Sequence, residues 1–449
     1  MPYLVHSDED RQAMLAAIGA ATLDDLLRDI PSSLRLPHLA LPDGLSESEA
    51  LADVRHLAGR NLMFEDRFTF RGGGVYRRFI PAAVDAVISK PEFYTAYTPY
   101  QAEASQGWLQ AMFEFQTLIA ELTGMEVANS SLYDGATAVA EAAMMAVVHT
   151  GRKRVVVAGH LHPEYVEVLR CYGEGRGFEM FHVKHSGGVS GPDDLAGELD
   201  QAAAVIFQQP NFLGLVEDAE ALCAVAHDAG ALAIACVDPI SLGLLKPPGA
   251  YGADIAVGEG QQLGLAPSFG GPHLGFIATH PELVRRLPGR LVGEAHDEQG
   301  RRGFVLTLTA REQHIRREKA TSNICTNHAL CALAASVYLT YLGSDGLRQI
   351  AEVSFRRAHH LAERLQELEG FEPAFPGAPF FNEFPLRVRD LDGVLRRLQD
   401  RGILGGLPLG RWYPELADVA SFCCTELNDP AAIDALVEAL TPAGTRVGA

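Results

Sequence analysis

Gly252-Ala-Asp-Ile-Ala-Val-Gly-Glu-Gly-Gln-Gln-Leu-Gly-Leu-Ala-Pro-Ser-Phe-Gly-Gly-Pro-His-Leu-Gly-Phe276 reads as a short apolar strand from Asp254 to Val257, a glycine-rich loop, and a second strand from Gly275 to Ala278. Gly258, Gly260 and Gly264 after a strand suggest a dinucleotide fingerprint. That motif needs a following helix whose N-terminus faces the pyrophosphate. Pro267, Gly270, Gly271 and Pro272 follow instead, and they forbid a helix there. The glycines are expected to allow close backbone approach or a sharp turn.

Upstream, strand and helix signals alternate. Strands are expected at Val155–Ala158, Phe178–Val183, Ala203–Gln208 and Ala231–Val237, and helices at His162–Tyr172, Pro192–Leu199 and Asp218–Ala229. The strands are near-continuous apolar runs, as in a parallel sheet covered on both faces. This is a doubly wound α/β pattern, whose sites lie at the C-terminal ends of the strands. His160 and His162 follow one strand, Gln209, Pro210 and Asn211 another, and Asp238 a third. His160-x-His162 has no third ligand nearby in sequence, so no metal is expected.

The flanks read differently. In residues 1 to about 60, Ser7/Asp10, Thr22/Asp25 and Ser46/Glu49 each place a hydroxyl three residues before a carboxylate, which is a capping-box spacing. Arg71-Gly72-Gly73-Gly74-Val75 is a glycine-rich turn without the Gly-Lys-Ser/Thr of a phosphate-binding P-loop. Trp108, Met112, Phe115, Ile119 and Leu122 mark an amphipathic helix over Ser105–Thr123, stopped by Gly124. Ala128 to Ala142 runs from small polar residues into an alanine-rich helix. Asp134, Gly135 and Thr137 there either cap the helix or border an anion at its N-terminus. After a short helix at Pro281–Leu287, helices are expected at His328–Leu342, Gly346–Leu368, Leu391–Arg401 and Pro430–Leu440. Strands are expected at Phe380–Val388 and Val419–Thr425, with Asn382 and Glu383 toward a cleft. The organisation expected is a helical arm over 1–65, a large α/β domain over 66–327 and a small C-terminal α+β domain over 328–449.

A net charge of −20 argues against nucleic acid as a partner. The seven cysteines form no C-x-x-C pair and mostly sit in apolar runs, pointing to a reducing compartment. The acidic first residues do not resemble a signal peptide, and no apolar run reaches the ~20 residues of a membrane span, so a cytoplasmic protein is expected. Lysine is scarce: Lys90, Lys153, Lys184, Lys246 and Lys319 are the only five. None stands in the loop between the two strands of the opening stretch.

That stretch resembles the cofactor-lysine segment of fold-type I pyridoxal-phosphate enzymes. Together with Thr95-Ala-Tyr-Thr-Pro-Tyr-Gln101, Val237-Asp-Pro-Ile-Ser-Leu-Gly243, Leu287-Pro-Gly-Arg-Leu-Val-Gly-Glu294 and Thr309-Ala-Arg-Glu-Gln-His-Ile-Arg-Arg-Glu-Lys-Ala-Thr-Ser-Asn-Ile-Cys-Thr-Asn327, it is similar to the glycine cleavage system P-protein family over essentially the whole chain. In two-subunit members it looks like the alpha chain. The resemblance implies a fold-type I architecture and glycine decarboxylation with pyridoxal phosphate. It further implies transfer of the aminomethyl group to the lipoyl arm of the H-protein. Laid on the catalytic pattern Asp-x-x-x-x-x-x-His-Lys, the stretch puts Asp254 on the Asp, Gln261 on the His and Gln262 on the Lys. An amide nitrogen is not nucleophilic, so Gln262 cannot form a Schiff base. The implied role is support of a homologous Lys-bearing beta subunit that holds the cofactor, in an alpha2beta2 assembly. Tyr97, Thr98, Tyr100, Gln101 and the Thr321-Ser322-Asn323 loop would serve the partner's site. A relict pocket would comprise Asp134, Gly135, Thr137, His162, Asp238 and Gln262, with Asp238 at the family's pyridine-nitrogen position. Two other readings are a stand-alone pyridoxal-phosphate decarboxylase or lyase using another lysine, and a scaffold that docks the lipoyl carrier.

Overall fold

A computed structural model describes residues 5–36, 40–61, 63, 67–183, 187–324 and 326–441. Lys184 and Cys325 lie outside them. The chain divides into two units, Met1–Leu62 and Met63–Ala449. In the first, all three hydroxyl–carboxylate pairs form capping boxes, at Ser7/Asp10, Thr22/Asp25 and Ser46/Glu49.

The second unit is built on a seven-stranded sheet. Its strands are β1 (Val127–Ala128), β2 (Arg154–Ala158), β3 (Glu179–Val183), β4 (Ala202–Gln209), β5 (Leu232–Val237), β6 (Ile255–Glu259) and β7 (Gly275–Thr279), in the order β1-β7-β6-β5-β4-β2-β3. β3, β2, β4, β5 and β6 are parallel, and β7 runs antiparallel to both β6 and β1. The opening stretch is thus the β6–loop–β7 reversal, with no helix between. Gly258 is required there, because a Cβ would lie 2.4 Å from the Val237 carbonyl oxygen.

Alternate residues of β4 serve opposite faces: Val205 and Phe207 join one core, Ala204 and Ile206 the other. This is why these strands read as unbroken apolar runs. The first core packs against α1 (Gln106–Thr123). The second packs against α2 (Gly135–Thr150) and α3 (Pro163–Arg176). α4 (Ala219–Asp228) returns the chain from β4 to β5. The helix expected over Pro192–Leu199 is only a short turn, Pro192–Leu195, ended where Gly197 takes φ +82°. A hairpin of Val292–His296 and Arg302–Leu306 was not anticipated.

The two helices expected after residue 328 form one long element, α5 (Ala329–Gln366), broken at Gly343 (φ 63°, ψ −175°). Its first half contributes Ala335 and Tyr338 to the main-sheet core, and its second half Leu361 and Leu365 to the core of the four-stranded C-terminal sheet. By length and composition α5 could also cross a membrane, contrary to the sequence expectation, but half of its apolar window is buried inside the protein.

Candidate functional site

At the C-terminal end of β6, Glu259 turns its carboxylate onto the N-terminus of α2. Oε2 accepts the Gly135 N–H at 2.9 Å, and Oε1 accepts the N–H groups of Gln261 and Leu274, each at 2.9 Å. His273 Nδ1 stands 3.4 Å from Oε2, and the bond to Glu259 raises the imidazole pKa. The positive end of α2, where this fold could receive an anion, therefore holds the chain's own carboxylate. Asp134 caps the same helix, accepting the Thr137 N–H at 2.7 Å.

The segment from Gly72 to Arg78 crosses the cleft. Gln261 pairs with Tyr76 in both directions: its Oε1 accepts the Tyr76 N–H at 3.0 Å, and its Nε2 donates to the Tyr76 carbonyl at 3.1 Å. Gln262 Oε1 accepts from Arg78 Nε at 2.9 Å. The Arg78 guanidinium is buried and also donates to Glu426 at 2.7 Å and Ser354 at 2.9 Å. Glu383 closes the segment from the other side, accepting Gly73 N–H at 2.8 Å and Tyr76 O–H at 2.6 Å. At 72 a Cβ would lie 2.3 Å from Glu383 Oε1, so a larger residue there would displace that carboxylate. His162 Nε2 donates to the Gly73 carbonyl at 3.0 Å while Nδ1 accepts the Glu164 N–H at 3.2 Å. The ring is thereby fixed as the neutral Nε2–H tautomer, and burial lowers its pKa. It stacks on Tyr165 at 4.5 Å.

Burial pushes the Glu383 carboxyl from 4.5 up to about 7. A raised carboxyl pKa contributes stability that is full below the unfolded value and is lost as pH rises through the folded one. The shift corresponds to ~3 kcal/mol. Burial raises Glu141 and Glu217 to about 7 as well. The chain is expected to lose stability between pH 5 and 8, and Glu383→Gln to remove about a third of that loss. Urea midpoints across this range measure it. A variant whose midpoint falls as steeply as the parent's would show that Glu383 does not titrate there.

Of the residues expected in a relict pocket, Gly135, His162 and Gln262 are engaged as described. Asp238 is partly buried, accepts the Ile240 and Ser241 N–H groups, and acts electrostatically on Tyr76, Arg78 and Glu383. Tyr97 and Tyr100 are 74% and 83% exposed, and Gln101 is exposed beside them. Thr98 is anchored. Its hydroxyl accepts from buried Arg290 at 3.2 Å, and Arg290 also donates to Asn327 at 3.0 Å. Asn327 in turn donates to the Ser130 carbonyl and the Ser131 hydroxyl. In the 321–323 loop, Asn323 accepts from Arg176 at 2.9 Å and Ser322 Oγ accepts the Ile324 N–H. Asp254, at the start of β6, instead faces His227 at 2.9 Å. Lys90, Lys153, Lys246 and Lys319 are exposed on the surface. Among the described residues, no group of three or more His, Cys, Asp or Glu is placed to hold a metal ion.

Sequence reading missed Glu259, Tyr76, Arg78 and Arg290. Glu259 had one usable signal, a carboxylate at a strand end within a glycine-rich loop. The others depend on contacts between residues roughly 180 to 350 positions apart along the chain.

Pyridoxal phosphate does not fit this cleft. Position 262 offers an amide rather than an amine, and Glu259 holds the helix N-terminus that Asp134 also caps. No step through that group is assigned to this cleft.

Comparison with known proteins gives one result throughout. The profile of the family described as "Glycine cleavage system P-protein" matches residues 1–440. "Probable glycine dehydrogenase (decarboxylating) subunit 1" of Desulforamulus reducens is 49% identical over 443 residues, covering 98% of this chain and 99% of that protein. The Geobacillus kaustophilus protein of the same description is 48% identical over 441 residues, covering 98% of each. The crystal structure of a glycine decarboxylase (P-protein) of the glycine cleavage system, in inhibitor-bound form, superposes with a TM-score of 0.89 at 49% identity, over 98% of this chain and 99% of that one. Cysteine desulfurase from Thermococcus onnurineus shares the fold alone, with a TM-score of 0.62 at 16% identity, over 89% of this chain and 98% of that one. The architecture is that of fold-type I.

Proposed function

Because the chain belongs to the glycine cleavage system P-protein family, we propose that it is the non-covalent partner in a glycine decarboxylase. It joins a homologous Lys-bearing beta subunit, in an alpha2beta2 assembly, and supports that subunit's active site. The observation that carries this reading is a cleft closed by the chain's own Glu259, Gln262 and Arg78 within an otherwise full-length family match.

Glycine loses its carboxylate as CO2, and its aminomethyl group passes to the oxidised lipoyl arm of the H-protein. Pyridoxal phosphate, held by the beta subunit, supplies the electron sink. This chain's contribution is positional. Thr98 is fixed through Arg290 and Asn327, so the Tyr97–Gln101 segment is displayed from a rigid anchor with two tyrosines facing outward. Phenolic and hydroxyl groups held this way can donate to a carboxylate across a subunit boundary. The Thr321-Ser322-Asn323 loop is the second element proposed to reach the partner.

A glycine–bicarbonate exchange assay tests the assignment, with this chain alone and with its beta subunit, in the presence of pyridoxal phosphate and H-protein. Exchange is expected only with both chains. Tyr97→Phe with Tyr100→Phe is expected to lower exchange by about tenfold or more, the loss of one or two charge-assisted bonds, without shifting the chain's melting temperature. Exchange by this chain alone would overturn the reading.

A further inference from the structure

The chain carries a net charge of −20, yet one surface cavity is lined by five cations. Arg285, Arg286, Arg311, Arg316 and Lys319 surround a space of about 380 Å³, with Thr321 on its wall. None of the five makes an ion pair among the described residues. One carboxylate is near: Glu312 shares a small adjoining cavity with Arg285, Arg286 and Arg311, acts electrostatically on Arg311, and lies 3.8 Å from His314. Arg311 is held rigidly by donation to the carbonyls of Leu287 and Gly289, while its buried Nε has no partner. Five like charges gathered in a concave site, against one adjacent carboxylate, focus a positive field that favours an anion.

We propose that this cavity binds a phosphate-bearing ligand. Arg285, Arg286 and Arg316 offer the planar forks that match phosphate oxygens, where an isolated lysine would offer only a point charge, and Arg311, held by backbone carbonyls, adds its charge. The site can neutralise a dianion. Its volume lies within the range of small-molecule sites and exceeds what inorganic phosphate fills. Val148 and Leu308 supply apolar wall for the organic part of a monoester. The cavity is distinct from the closed cleft. Its wall shares Thr321 with the loop proposed above to reach the partner, and the titration below, made on this chain alone, tests the cavity separately from that reading.

The test is calorimetric titration of the full chain at fixed ionic strength, once with inorganic phosphate and once with pyridoxamine 5′-phosphate, which has no aldehyde to label lysines. Saturable binding is expected for the ester. It should weaken about tenfold or more in the Arg316→Ala/Lys319→Ala variant, which removes two charge-assisted contacts from exposed positions. Arg389→Ala, a surface arginine elsewhere, should change nothing. Equal affinity for inorganic phosphate would identify the free ion as the natural occupant, and tighter ester binding an organic monoester. No saturable binding of either, or binding unchanged in the double variant, would overturn the proposal. Intact melting temperatures separate loss of the site from loss of the fold.

Discussion

Replacing Gln262 by lysine is expected to destabilise the chain by roughly 3–5 kcal/mol and to leave it without bound pyridoxal phosphate. The amide oxygen of Gln262 accepts from Arg78 Nε at 2.9 Å, and the arginine side chain is buried. A lysine places an ammonium against that guanidinium. The carboxylates near it are already engaged with Arg78: Glu426 accepts from it at 2.7 Å and Asp238 acts on it electrostatically. Two cations in a low-dielectric site repel strongly, and the lysine escapes only by losing its proton at a cost in pKa. An amine introduced at position 262 thus disrupts the local structure. Urea unfolding measures the loss. A double-mutant cycle with Arg78→Gln should show the lysine penalty shrinking once the guanidinium is gone. A Gln262→Lys chain as stable as the parent, or one with the absorbance of a reducible internal aldimine, would refute this account of the cleft.

Glu259→Ala is the second large effect. One carboxylate accepts three buried backbone N–H groups, from Gly135, Gln261 and Leu274, and pairs with His273. Each donor left unsatisfied costs about 1–3 kcal/mol, so a total of roughly 3–9 kcal/mol is expected. Glu259→Gln should recover only part of it, because the amide turns an NH2 donor toward N–H donors. The loss should appear first as increased hydrogen exchange at Gly135, Gln261 and Leu274. Inorganic phosphate added to Glu259→Ala should recover part of the stability by occupying the vacated helix N-terminus. If neither stability nor exchange at these amides changes, Glu259 does not hold the site closed.

The difference between what was legible and what was not follows the range of the interactions. The three capping boxes and the Gly124 stop need only neighbours within one turn, and all formed where the spacing placed them. The parallel strands were legible because burial on both faces writes itself as an unbroken apolar run. The Pro192–Leu199 helix failed where Gly197 adopts a conformation that residue type alone does not announce. The break in α5 was readable as two helices, but its continuity across two sheets was not.

The sequence by itself determined the fold class and the reversal at β6 and β7, because periodicity and punctuation are local properties. Only the tertiary structure decided what fills the cleft. Arg78 reaches Gln262 from 184 positions away, and Glu383 reaches Tyr76 from 307. Contacts of that range depend on how the sheet stacks the segments, and no spacing along the chain encodes them.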